Sequence, residues 1–441
     1  MAEISRDSLL RSWKEIAAYL GCDVRTCHRW EDKRGMPVHR AEGGESKSPV
    51  FAYKDELDAW FKETFRNHNH LGEKTRKVGK GRPALKWALG AIAVLVLAGA
   101  FFLLRVPRVK RQPADFSIEG PVFIALDKGG RELWRWDTGM EDLLPEAFYR
   151  RNFQVKHPEE GGILPLLVIK DINSDGDAEV LFAPKRGSDQ TGEGWLYCFD
   201  REGYEIWSFP AGKELHCGGT VYSPDYRIYG FYCHDLEGDG LIETVVKAYH
   251  APDWPCQLAV LDASGNSIGE FWNAGYLVDL IFHDIDGDGR DELIAGGVNN
   301  EYKGGCLVVF DTRKIAGSSP QTGKYACEGL GPGSMLYYVT VPYTDVAEAM
   351  GHSVAGFRHV CVTANNRIRG TTSTSLYYEF GFDLAFLQVE DGNGFKVHHR
   401  EMALLGRISS VLDDAYLAAL RAGVRWWNGS EMVAKPAKNP R

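Results

Sequence analysis

The stretch from His283 to Gly297, "HDIDGDGRDELIAGG", decides how the larger part of this chain is read. It places acids at Asp284, Asp286, Asp288 and Glu292, puts glycine at 287 and 289, and then turns apolar. Two more stretches share the pattern: "DINSDGDAEVLFAPK" from Asp171 and "DLEGDGLIETVVKAY" from Asp235. Positions one, three and five carry oxygen donors, position six is glycine, and position nine is glutamate. The donors are Asp171, Asn173, Asp175 and Glu179; then Asp235, Glu237, Asp239 and Glu243; then Asp284, Asp286, Asp288 and Glu292. Position seven (Asp177, Leu241 and Arg290) is expected to offer its backbone carbonyl. Clustered hard oxygens on a sharply bending chain suit Ca2+, which takes six to eight of them. An EF-hand is excluded, because its bidentate glutamate stands at position twelve, where this chain has Phe182, Val246 and Ala295. A single loop of this kind would read as a plain Asp/Gly turn; three in matching context argue for a metal.

The context repeats as well. An apolar run precedes each loop ("LPLLVIK", "IYGFYCH", "LVDLIFH"), and strand-like runs such as "GWLYCFDREGYEIWSF" and "CQLAVLDASGNSIGEFW" follow. A partial unit, "PVFIALDKGGRELWRWD", opens the series at Pro121. Units of roughly fifty to sixty residues with about four short strands predict propeller blades. Over 163–316 the repeats resemble the FG-GAP/VCBS type found in the integrin α-subunit propeller. The resemblance implies about five blades within 112–441, with the loop residues named above as calcium ligands. It weakens at Glu237, which is longer than Asp or Asn, and over 317–441, where no acidic loop occurs.

Charge separates this body from what precedes it. Residues 1–86 hold 18 Lys and Arg against 13 Asp and Glu, whereas the whole chain carries a net −9. Between the two lies "WALGAIAVLVLAGAFFLL", Trp87–Leu104, without a charge. As a helix it would be about 27 Å long, which predicts a transmembrane segment over 85–106 after a basic linker at 67–84. Its small residues offer a face for a homodimer. Nine cysteines, two of them in the head, include no CxxC pair, and spacing assigns no disulfide.

In the head, Ile16, Leu20, Cys22, Val24, Cys27 and Trp30 read as the inward set of two helices joined at Gly21. Extended pieces near Val38 and Val50–Tyr53 follow, and "KDELDAWF" then reads as a helix with Leu57, Trp60 and Phe61 inward. The combination "EIAAYLG…RT..RWE…GMPVHR…VFAYKDELDAWF", over about residues 10–63, resembles the winged helix-turn-helix of the excisionase and MerR type. That resemblance implies a DNA-binding domain over 1–66. Arg25, Thr26, His28 and Arg29 would face DNA, with Arg40 and Lys47 near the wing.

The whole is read as a multidomain chain: an α+β winged helix-turn-helix, one transmembrane helix, then an all-β propeller. The expected function is a bacterial DNA-binding regulator held in the inner membrane. Its N-terminus would be cytoplasmic and its propeller extracytoplasmic, taking a protein or glycan ligand, with no enzymatic activity. The rivals are a surface adhesion or scaffold protein and a propeller-type carbohydrate-active enzyme. No Ser-His-Asp pattern, HExxH or phosphate loop occurs in the sequence.

Overall fold

The structure, a computed structural model, describes residues 9–20, 24–40, 50–66, 110–153, 164–187, 194–250 and 254–436. The chain divides into two units, Met1–Pro107 and Arg108–Arg441.

In the first unit, helix α1 spans Trp13–Leu20 and α2 spans Val24–Arg34. The start of α1 is fixed by "SWKE": Ser12 Oγ accepts from the Glu15 N–H at 3.2 Å, and the Glu15 carboxylate accepts from the Arg11 N–H at 2.7 Å. This reciprocal capping satisfies donors that the first helical turn leaves open. Strands β1 (Leu9–Leu10), β2 (His39–Arg40) and β3 (Val50–Tyr53) form a sheet in the order β1-β3-β2, and α3 (Lys54–Arg66) follows directly. Ile16, Ala17, Cys27, Ala52 and Leu57 make the small core, with Leu20, Val24, Trp30 and Trp60 packed against it. Phe61, expected inward, is exposed.

The second unit is built from antiparallel sheets that follow one another along the chain. The first holds β4 (Asp115–Glu119), β5 (Val122–Leu126) and β6 (Glu132–Asp137). The next holds β7 (Leu167–Lys170), β8 (Glu179–Phe182), β9 (Trp195–Phe199) and β10 (Glu205–Pro210) in meander order. A small hairpin, β11 (Leu215–Cys217) and β12 (Thr220–Tyr222), precedes a five-stranded sheet. That sheet contains β13 (Tyr226–His234), β14 (Glu243–His250), β15 (Cys256–Leu261), β16 (Ser267–Asn273) and a parallel edge, β20 (Ala316–Ser318). The six-stranded sheet runs β17 (Leu277–His283), β18 (Glu292–Val298), β19 (Gly305–Asp311), β21 (Tyr337–Thr340), β26 (Arg425–Trp427), β27 (Met432–Val433). The last holds β22 (Phe357–Thr363), β23 (Arg367–Thr372), β24 (Leu376–Phe380) and β25 (Phe386–Asp391).

Successive sheets are clamped by tryptophan. The Trp134 indole N–H donates to the Arg201 carbonyl at 3.1 Å, and Trp207 donates to the Ala263 carbonyl at 3.2 Å. Each ring lies over a turn glycine, Gly203 and Gly265, where a Cβ would sit 2.6 and 2.5 Å from the indole. The receiving turns share one device. Asp200 and Asp262 each accept backbone N–H groups two and four residues on, as Asp127 does in the first sheet.

Several expectations are corrected here. The body is not a run of about five four-stranded blades. The sheets hold two to six strands, and the C-terminal strands β26 and β27 extend the sheet of the third acidic loop. Helices at Asn393–Leu404 and Asp414–Ala422 interrupt the strand pattern of the last third. Among the described residues no helix is long and apolar enough to cross a membrane. The expected span 85–106 and the linker 67–84 lie outside those residues; the single-pass inner-membrane placement is not carried further.

Candidate metal loops

The three acidic stretches are the hairpin loops β7–β8, β13–β14 and β17–β18. In each, the ninth-position glutamate opens the second strand and pairs with the last residue of the first: Lys170 with Glu179, His234 with Glu243, His283 with Glu292. The alternation of the strand turns that side chain back under its own loop. Glu179, Glu243 and Glu292 are 2, 5 and 5% exposed, so they are core residues by position. Each accepts the second-position N–H: Ile172 at 3.0 Å, Leu236 at 2.8 Å and Ile285 at 3.0 Å.

The first-position aspartate organises the bend. Asp284 accepts from Gly287 N at 2.7 Å and Gly289 N at 2.9 Å. Asp235 accepts from Gly238, Asp239 and Gly240, and Asp171 from Gly176 at 2.9 Å. The fifth-position acid accepts from the seventh N–H in all three: Asp175 from Asp177, Asp239 from Leu241, Asp288 from Arg290. Gly176, Gly240 and Gly289 have φ of +83, +87 and +87°, which L side chains resist and glycine adopts freely.

Asp177 directs its carboxylate away from the loop, toward Lys110 at 3.1 Å and Arg201 at 3.2 Å. Gln112 donates to the Gly176 carbonyl at 2.7 Å. These brackets, which sequence reading missed, leave the Asp177 carbonyl as its donor toward the loop. Ser174 Oγ donates to the Gly240 carbonyl at 2.5 Å, so the first and second loops touch.

Burial and like charge raise all three ninth-position glutamates. Burial, reinforced by Asp175 and Asp171, pushes Glu179 up to about 7. Burial, with Asp286, Asp288 and Asp284 adding repulsion, pushes Glu292 up to about 7. Glu243 is raised for the same reasons, by burial first and then Asp239 and Glu237. Desolvation and neighbouring like charge both disfavour a carboxylate, and a bound cation would reverse both. In the third loop, oxygens of Asp284, Asp286 and Glu292 lie within 4.8 Å of one another. In the first, Asp171 Oδ1 is buried without a hydrogen-bond partner. These donors are of the kind calcium takes, and the first, third, fifth and ninth side chains with the seventh carbonyl would hold it; the convergence of three acids is seen in the third loop, at Asp284, Asp286 and Glu292.

The residues expected to meet DNA are spread differently. Arg25, Thr26, His28 and Arg29 lie in α2, with Arg25 and His28 exposed while Cys27 is buried. The His28 ring is 3.9 Å from the Trp13 ring. Arg40 is engaged by Glu31 at 2.5 and 3.1 Å, so that pair holds the short strand β2 to α2. Lys47 lies outside the described residues.

No family model matches the chain, and no curated protein matches it. Solved structures do. The exotype rhamnogalacturonan lyase YesX is 15% identical, with 60% of this chain and 48% of that one covered at a TM-score of 0.28. The rhamnogalacturonan lyase YesW gives 15%, 60% and 50% at 0.29. The Bacillus licheniformis rhamnogalacturonan lyase PL11 gives 12%, 64% and 61% at 0.28. The chain thus spans about half to three-fifths of the length of the structures it matches. At these scores the likeness carries no argument about chemistry. The printed names of all three are those of rhamnogalacturonan lyases and none is that of a DNA-binding regulator; the expectation of a non-enzymatic regulator is not carried further.

Proposed function

We propose that the body, residues 108–441, is a calcium-organised, carbohydrate-active domain. The observation that carries the calcium part is the convergence of Asp284, Asp286 and Glu292 under a loop whose glutamate is buried. Two further loops of the same build support it. Three carboxylates so close repel one another, and a divalent ion converts that repulsion into cross-links between the two strands of each hairpin. A ligand that binds only the folded state raises stability by about 2.7 kcal/mol at a hundredfold excess over its dissociation constant. Thermal melts of the protein in millimolar calcium and in chelator test this. A higher melting temperature in calcium is expected, and Asp284→Ala should remove more of the shift than Asp235→Ala, whose loop carries the longer Glu237. Equal melting temperatures in the two buffers overturn it.

For the carbohydrate part, the names of the similar structures make rhamnogalacturonan the first polymer to assay. Shortening of that polymer, followed as new chain ends in calcium and lost in chelator, is the expected result. An unchanged polymer that also fails to bind overturns it.

DNA is a second proposed partner, of the head alone. The observation that favours it is the exposure of Arg25 and His28 on the face of α2 opposite the buried Cys27. Arg25→Ala should weaken duplex binding by the full chain in a gel shift and flatten its salt dependence. Identical binding at every salt concentration would count against it.

A further inference from the structure

Away from the acidic loops, residues of Ser318–Gly333 and Trp427 line an open cleft of about 220 Å3. Its walls include Ser318, Ser319, Gln321, Cys327, Gly331 and Trp427, and no lining residue is charged. A charged ligand would lose its hydration there without a counter-charge, so the cleft selects a neutral one. Its size is below the roughly 300–1,000 Å3 of sites for drug-sized molecules, which limits it to one small ring.

The cleft is built, not incidental. On one side Ser318 N and Oγ both donate to the Gly331 carbonyl, at 3.0 and 3.1 Å, and Gly333 N donates to the Ser318 carbonyl at 2.9 Å. Backbone approaches so closely that a Cβ on Gly317 would lie 2.3 Å from the Pro332 oxygen. On the other side, Cys327 is joined to Cys217 of β11 by a disulfide. Backbone bonds from Gly218 N to the Ala326 carbonyl and from Glu328 N to the His216 carbonyl flank the bridge. Both walls are therefore fixed before any ligand arrives, which lowers the entropic cost of binding.

Its polar groups are partly committed. Ser319 Oγ accepts from Ala274 N at 3.0 Å and donates to Gln321 Oε1 at 3.3 Å. That bond fixes the Gln321 amide, whose Nε2 makes no hydrogen bond among the described residues. The Trp427 indole N–H makes none either. An indole wall beside an unspent amide donor matches a pyranose, which has an apolar C–H face and a rim of hydroxyl acceptors.

We propose that this cleft is a subsite for a single uncharged sugar ring, stacked on Trp427 and hydrogen-bonded by Gln321 Nε2. The proposal rests on the carbohydrate reading above and locates one binding position within it.

The test uses the full chain with methyl rhamnoside and methyl galactoside, followed by saturation-transfer NMR and tryptophan fluorescence. Saturable binding of at least one glycoside is expected, with galacturonate weaker. Gln321→Ala should weaken it about five-fold, the loss of one hydrogen bond. Trp427→Phe should weaken it less than Trp427→Ala, because the stacking face survives. Reduction of the Cys217–Cys327 bridge should weaken it without touching either contact residue. Gln321 is half-buried, and the unchanged melting temperature expected of Gln321→Ala keeps the test open even if a Trp427 variant does not fold. Unchanged glycoside affinity in Gln321→Ala, with polysaccharide binding intact, overturns the subsite alone. Tighter binding of a nucleoside than of either glycoside also overturns it. If the wild type binds neither glycoside nor polysaccharide, the carbohydrate reading falls with it.

Discussion

Glu292 is an ordinary side chain in an unusual position. Nothing in its local sequence says that it is buried; the strand register does, by turning it under the loop that Asp284 shapes. With no cation bound, its carboxyl is pushed up to about 7, as is that of Glu179. An acid whose folded pKa exceeds its unfolded value binds more protons when folded, so stability falls as pH rises through the interval between the two. For these glutamates the interval runs from the ordinary value of 4.5 to about 7. In chelator the body should therefore melt higher at pH 5 than at pH 7.5. In calcium the order should reverse, because protons compete with the ion for the same oxygens. Glu292→Gln keeps an acceptor for Ile285 N and removes the charge. In chelator at pH 7.5 it should stabilise by on the order of 2 kcal/mol, and in calcium it should destabilise. Parallel melts of wild type and variant in the two buffers decide the matter; the same sign of effect in both would exclude the cation site.

At the level of the element, hairpins and turns were the legible part. The Asp-x-Asp-x-Asp-Gly spacing located the β7–β8, β13–β14 and β17–β18 bends, because oxygen acceptors and glycine at fixed offsets leave the backbone few alternatives. Strands such as Phe357–Thr363 and Leu376–Phe380 are rich in β-branched and aromatic residues, a signal equally local. Which sheet a strand joins was not. Arg425–Trp427 pairs with Tyr337–Thr340 across more than eighty residues, and no local pattern encodes that partner. Nor did spacing reveal Cys217–Cys327, since their approach depends on a hairpin and a loop 110 residues apart. The glycines separate the two kinds of information. Gly289 and Gly265 have similar φ, +87 and +79°, but a Cβ on Gly289 meets nothing within 4 Å, whereas one on Gly265 meets the Trp207 ring at 2.5 Å. Gly289→Ala should cost about 1 kcal/mol, the backbone penalty alone. Gly265→Ala should cost about 1–3 kcal/mol more, because the clamp between sheets must give. Denaturant unfolding of the two variants at fixed calcium measures the difference; equal losses would mean that the Trp207 contact is not tight.

At the scale of the whole molecule, the features argued above are distributed unevenly between the two units. The head is held by a core of small and aromatic side chains, a capping box and the Arg40–Glu31 pair. The body contains all three acidic loops and the Cys217–Cys327 bridge. A cross-link enclosing so long a segment restricts the unfolded chain strongly, and its removal typically costs 2–4 kcal/mol. Calcium and reductant should thus act on the same cooperative unit through unrelated bonds. Calorimetry of the full chain should resolve a transition that calcium raises and reductant lowers, and a second that neither moves. The two effects should be close to additive, since the bridge does not share partners with any of the loops. A transition moved by calcium but indifferent to reductant would separate the loops from the bridged sheets. A head transition that follows calcium would show that the basic unit carries an ion site of its own, contrary to the assignment of calcium to the three body loops.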